Sequence, residues 1–426
     1  MKKWFIGIPI LLVVFVVVGT VFLYQDDELS PGAQKWLSHK WPETSKAYYF
    51  RLGFEVSPQD DPIAEGKKIF DSMKQSEAEY LKSFEQLNFS EYTKDNQIEI
   101  PEGELFCKFY DEGCLEKVFA TPASELSDLV NNNQVLLKRF KQYLQLNDYS
   151  TLTTPLIIEY IAPVKGLLAA NRLSILDHIV QADTEGPEVV INNMLSEVTI
   201  IRSKMAKSDQ LIHKIVTNVQ IADYLQAIAL LLDRYQLTLE EPIPQLTQEE
   251  RSLKLSMMRE YIANHHLFRQ MLVKPDDDFQ VPSWAMKFIF KKNISSNAAY
   301  IDFSHIASLS EQDAISFAKT YETSDFLPEK EYSIRNVVGN ILLDIASPDF
   351  RSYIARFHDL DCRIKLFNEL ANKETDIKSS KIYSPYFEKT KHAEIQRATY
   401  NADNKTICLN GPAEDDRKLR CLRLTL

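Results

Sequence analysis

Eight histidines and five cysteines are the residues of this 426-residue chain best suited to hold a metal or move a proton. The histidines are His39, His178, His213, His265, His266, His305, His358 and His392. None falls in a His-Glu-x-x-His frame, and no two cysteines have the Cys-x-x-Cys spacing that closes on zinc. What remains is helical proximity. His358 and Cys362 lie four residues apart, the spacing that lets two side chains reach one ion, and Asp359 adjoins them. On a helix over 352–370 the apolar residues Tyr353, Phe357, Leu360, Ile364 and Phe367 mark the buried side. His358 and Cys362 are then expected on the opposite, solvated face. Two ligands do not make a site, so His358, Asp359 and Cys362 are metal candidates only, and no cofactor is implied.

Other chemistry is limited by what the backbone can do. The chain has 11 glycines, under half the usual ~7 per cent, and no two are closer than ten residues. Dinucleotide-binding and phosphate-binding glycine loops are therefore excluded, as is a Gly-x-Ser-x-Gly nucleophile turn. Carboxylate runs at Asp60-Asp61, Asp276-Asp277-Asp278 and Asp415-Asp416 sit beside prolines and read as solvated turns rather than acid/base pairs. With 49 basic against 60 acidic residues, a net charge of −11 argues against nucleic acid or an anionic membrane surface as a partner. The segment from Trp284 to Lys292 is basic and amphipathic. It reads first as a connector tucking aromatics into the body, and second as a membrane-surface contact.

The elements that would position these residues are mostly helices. From Phe5 to Tyr24 there is no charge, and at 1.5 Å per residue this stretch covers about 30 Å, the hydrocarbon thickness of a bilayer. Lys2 and Lys3 precede it, and Asp26, Asp27 and Glu28 follow, so the expected topology is cytoplasmic N-terminus and periplasmic body, with a cleaved signal peptide as the alternative reading of the segment. Helices are expected over 33–39, 44–52, 62–87, 122–146, 155–183, 187–206, 209–237 and 248–273. Their starts are signalled by Thr121-Pro122, Thr154-Pro155, Gly186-Pro187 and a Thr247/Glu250 capping box. The 209–237 segment carries apolar stripes on two faces and is expected at the centre of a bundle.

Cysteine usage suits an oxidising compartment. Four cysteines allow three connectivities, and proximity selects Cys107 with Cys114 and Cys408 with Cys421; five free thiols are the alternative. Alternation over 405–409 and 419–424 makes the second pair the clamp of a β-hairpin. The resulting expectation is an all-α protein with an N-terminal transmembrane helix, a multi-helix bundle and a small C-terminal β-hairpin. Its parts are an anchor at 1–24, a stalk or collar at 25–60, a helical periplasmic body at 61–404 and the hairpin at 405–426.

Several blocks resemble a group of uncharacterised, membrane-anchored proteobacterial envelope proteins. They are 287–293, 336–343, 347–360 and the loop holding Phe106, Cys107, Gly113, Cys114 and Leu115. The resemblance implies an envelope location, with no activity attached; beside it, the Phe5–Tyr24 anchor sets the chain in the inner membrane and an envelope protein partner is expected. His358-Asp359 is also similar to the dipeptide of helical HD phosphohydrolases, which implies, as the rival function, a metal-dependent hydrolase completed by Asp177, His178, His213, His265 or His266. A binding or structural role in the envelope is the leading expectation, and carriage of an apolar envelope ligand the third.

Overall fold

The computed structural model describes residues 4–85, 87, 97–109, 111, 113–274, 282–321, 323, 326–328, 331–345, 349–372, 382–387, 398–403, 405–415 and 417–423. Within them the chain is mostly helical, with a small antiparallel sheet near the C-terminus. The first helices are α1 (Trp4–Tyr24), α2 (Pro31–Leu37), α3 (Lys46–Leu52) and α4 (Pro62–Ser83). Ser30, Ser45 and Asp61 accept hydrogen bonds from the amides of Ala33, Tyr48 and Ala64, meeting donors that a first turn leaves orphaned. α3 and α4 approach closely because Gly53 and Gly66 carry no side chain; a Cβ on Gly66 would overlap the Tyr49 carbonyl. The stretch expected as a stalk or collar, 25–60, gives Ala33, Trp36, Tyr48, Phe50 and Phe54 to the same core as the later helices.

α5 (Cys114–Ala120), α6 (Ala123–Asn132) and α7 (Gln134–Gln145) follow a 3-10 turn at Glu104–Phe106. The single helix expected over 122–146 is thus two. Asn133 divides them, its side-chain amide donating back to the Leu129 carbonyl at 2.8 Å, the local competition that makes Asn a poor helix interior. A second difference is larger. The helix expected from Pro155 begins only with α8 (Lys165–Glu185). Pro163 explains it, since proline lacks the N–H of a helical ladder and pushes the preceding Ala162 out of the helical region. The preceding stretch is irregular and held by side chains: Asp209 accepts from the Thr151 amide and hydroxyl, and Glu77 from the Thr154 amide.

α9 (Pro187–Lys207) starts at its proline, and α10 (Leu211–Arg234) comes next. Every residue of α10 over 213–232 is buried, against α8, α9 and α17 (Arg351–Ala371), as two apolar stripes require. Among the described residues, α10 is the helix long and apolar enough to cross a membrane, yet it lies almost wholly inside the fold. At its midpoint Asp223 faces Arg172 at 3.3 Å, and burial lifts its carboxyl to about 6.

α11 (Gln248–Arg251) opens with the expected capping box. The helix expected to run on to 273 breaks after it, because the Leu253 amide turns to Ser310 Oγ at 2.8 Å and Ser252 Oγ to Glu311. α12 (Lys254–Val273), α13 (Ser283–Ile289), α14 (Lys292–Ser310) and α16 (Val337–Ile345) then form a second group around the α12/α14 pair, while α15 (Ala314–Tyr321) sets Phe317 against His358 of α17. α1 behaves otherwise: its large apolar side chains from Leu11 to Tyr24 are exposed, Phe15 by 77%.

The sheet has strands β1 (Thr399–Asn401), β2 (Thr406–Cys408) and β3 (Cys421–Arg423) in that order. β2 and β3 are the expected hairpin, with Cys408 opposite Cys421 and disulfide-bonded to it; Cys107 and Cys114 are likewise bonded. β1 is an addition. All three of its residues are exposed, so no alternation marks it.

Candidate functional site

The structure does not give His358 and Cys362 the outward face expected for them: both are buried, because α17 is covered on nearly all sides. The His358 ring stacks on Phe317 at 4.9 Å and lies edge-on to Tyr386, and its Nε2 has no hydrogen-bond partner. Burial, helped by the nearby Arg251 charge, holds its imidazole down to about 3. Asp359 instead turns to the Tyr386 hydroxyl at 2.7 Å and to Arg420, and burial raises its carboxyl to about 7. Burial also raises the Cys362 thiol. Among the described residues no three His, Cys, Asp or Glu side chains converge as a metal site.

The remaining sequence candidates are spread through the fold. Asp177 pairs with Lys141 at 2.8 Å. His178 faces Glu197 at 3.3 Å, and the same carboxylate accepts from Ser174 and Tyr224. A serine, a histidine and an acid meet here, but Ser174 addresses the carboxylate rather than the ring, which is not the relay a nucleophile needs. His213 stacks on Tyr149 at 3.9 Å and bonds Tyr143 and Ser208 in a buried position, while His265 bonds Ser296 at 2.9 Å. Asp61 caps α4, and Asp415 accepts from the amides of Leu419 and Arg420. His392, 276–278 and Asp416 lie outside the described residues.

A wide groove lies where none of these residues is. Residues 237–247 form a strap that crosses beside α9 and leaves an open groove of about 820 Å³, within the range of small-molecule and peptide-side-chain sites. Ile191, Leu195 and Val198 of α9, Leu232 of α10 and Leu237, Leu239 and Ile243 of the strap make an apolar floor. Glu188, Glu240 and Glu241 stand exposed on its rim.

The strap is fixed along its length. Its Leu239 amide donates to the Ala371 carbonyl at 3.1 Å, Ile243 exchanges two 2.8 Å hydrogen bonds with the Asn368 amide group, and the Leu246 amide donates to Asp361 at 2.7 Å. Burial raises the Asp361 carboxyl to about 6 against the pull of that amide and of Arg251. At the inner end the buried Arg202 grips both carboxylate oxygens of Glu250, at 2.8 and 2.7 Å, and donates to the carbonyls of Pro244 and Gln245 at 2.6 and 2.9 Å. A planar five-donor fork is the side chain that can make all four at once. The groove is therefore preformed rather than assembled around a ligand.

Sequence reasoning missed this groove. Its signal was alternation at Leu237, Leu239 and Ile243, with Pro242 and Pro244 favouring extended backbone, in a stretch that reads otherwise as a connection. Compared with family models, curated proteins and solved structures, the chain matches none. The resemblance to envelope proteins accordingly rests on its residue blocks.

Proposed function

We propose that this chain is a membrane-anchored binding component of the bacterial cell envelope, with the groove between α9 and the 237–247 strap as its binding site. In this reading α1 spans the inner membrane, Lys2 and Lys3 stay in the cytoplasm, and the helical body lies in the periplasm. The supporting features of α1 are its uncharged sequence, its 21-residue length and its exposed apolar side chains. The observation that carries binding is the preformed groove itself, apolar on its floor and acidic on its rim. That combination suits a cationic amphipathic segment of an envelope protein, which would bury its apolar side chains on Leu195 and Ile243 and set its charges against Glu188, Glu240 and Glu241.

Photo-crosslinking in intact membranes tests this. A crosslinker at the rim positions Thr199 or Thr238 should give one discrete protein adduct, and the same probe at the exposed Glu125 of α6 should not. Equal labelling at all three positions, or none at the groove, would remove the groove from consideration. The apolar floor also supports carriage of an apolar ligand. Native mass spectrometry of detergent-free protein separates the two, since a carrier retains a small-molecule mass.

A further inference from the structure

The base of α1 is joined to the body without a flexible linker. Asp26 accepts from the amides of Asn293 and Ile294 at 2.9 and 3.3 Å, meeting free donors in the first turn of α14. The Asn293 and Asn297 side chains donate to the carbonyls of Asp27 and Glu28, and the Ser30 amide donates to Asn297. Arg335 completes the collar, donating to the Gln25 carbonyl and pairing with Asp27 at 2.6 Å. Where the apolar helix ends, the body begins within a turn.

Around that junction the body exposes what a soluble surface normally hides. Trp284 is 68% exposed on α13, Ile334 is 77% exposed beside Arg335, and Val337 opens α16 half exposed. The Phe288 ring bridges them to the anchor, edge-on to Tyr24 at 5.6 Å and to Trp284 at 6.5 Å. Two cations sit at the same level: the Arg335 guanidinium 5.0 Å from the Phe22 ring and the Lys287 ammonium 5.9 Å from the Tyr24 ring. α13 also shows why the segment did not read cleanly as connector or surface helix. Met286 and the following Phe290 are buried, whereas Trp284 on the other side is not.

We infer that this face, Trp284, Phe288, Ile334 and Val337 with Lys287 and Arg335, seats in the headgroup layer of an anionic bilayer, so that the body lies against the membrane rather than standing off it. The inference rests on the reading of α1 as a membrane span. Its own support is continuity: the exposed aromatic and aliphatic side chains begin at the level of Phe22 and Tyr24, where a spanning α1 leaves the hydrocarbon. Indole and tyrosine rings favour that depth, and lysine and arginine carry apolar stems through it to reach phosphates. Lys287 and Arg335 bring positive charge to this face in a chain whose net charge is −11, although Asp27 pairs with Arg335 and Asp26 lies at the same junction.

Nitroxide accessibility on the full-length chain, reconstituted in vesicles of phosphatidylcholine and phosphatidylglycerol, decides it. One label each is placed at Ile334→Cys, at Val14→Cys within α1 and at Thr238→Cys on the groove rim; the native free thiol, Cys362, is buried. The expected result is a ratio of oxygen to nickel-chelate collisions at Ile334 shifted away from the Thr238 value towards the Val14 value. A water-like ratio at Ile334 with a lipid-like ratio at Val14 overturns this inference and leaves the anchor intact, whereas a water-like ratio at Val14 overturns the anchor itself. Shielding of Ile334 from both probes, as in a contact with a second copy or another protein, also overturns it.

Discussion

Replacing Arg202 by methionine is the sharpest test of how the groove is held. Methionine keeps the apolar stem in its channel but leaves the Glu250 carboxylate, buried, with the Thr247 amide as its remaining hydrogen-bond donor at 2.6 Å and the charge of buried Lys214 nearby. Pro244 and Gln245 are exposed, so water replaces the guanidinium at their carbonyls and those two hydrogen bonds contribute little to the loss. Most of the loss comes from the carboxylate that has lost its ion-pair partner; breaking a fully buried pair costs about 3–5 kcal/mol, and the nearby Lys214 charge sets this loss at the lower end of that range. Removing the charge as well, in R202M/E250Q, should restore about 2 kcal/mol of that, a coupling typical of groups in direct contact. Arg202→Lys should fall between, because an ammonium cannot hold the carboxylate with two parallel bonds and also reach both carbonyls. Urea unfolding of the detergent-solubilised chain measures all three, and amide exchange at Leu246 and Leu239 reports whether the strap loosens first. A loss of less than about 1 kcal/mol in R202M, the scale of a surface pair, would refute the assignment of Arg202 as the clamp. So would a double variant less stable than the single one.

Gly66→Ala should destabilise the protein by about 1–3 kcal/mol or more, visible as a lowered urea midpoint, because the new methyl meets the Tyr49 backbone rather than a side chain that can rotate away. The His358 imidazole, held at about 3 in the fold against 6.5 outside it, stays neutral while the unfolded chain takes up a proton. Stability from this group is therefore full above about pH 6.5 and falls as pH drops towards 3, at about 1.4 kcal/mol per pH unit. His358→Phe should lose that slope, whatever constant offset it adds. Wild type and variant with parallel stability profiles between pH 6 and 4 would contradict it. Replacing both Cys408 and Cys421 by alanine should cost about 3 kcal/mol, the chain-entropy value for a loop of this size, and reducing agent should then have no further effect on β2 and β3.

Local features of the sequence carried the fold a long way. The proline after Gly186, the capping box at Thr247 and the cysteine-clamped hairpin each depend on residues within a few positions of one another, and each appears in the structure. α10 was legible because two apolar stripes on one helix leave no side for water. α17 was legible as a helix over 352–370, but its burial on both faces was not. Its second face is polar in sequence and buried in fact, because Asp359 finds Arg420, and Arg363 finds Gln226 and the carbonyls of Lys418 and Cys421. Those partners are more than fifty residues away, and no periodicity announces them. The groove was missed for a related reason: its walls are an ordinary amphipathic helix and a proline-bearing connection, and only their distance apart makes a site.

Asp223 has a further consequence under the proposed periplasmic location of the body. A chain threaded unfolded through a membrane presents α10 to the lipid before Arg172 has met Asp223, and by length and hydropathy that helix would qualify to stay there. An aspartate at the centre of an inserting helix opposes this by about 2.5 to 3.5 kcal/mol. If the body is exported as proposed, the carboxylate that the finished core must neutralise would also oppose lateral escape of its central helix into the bilayer.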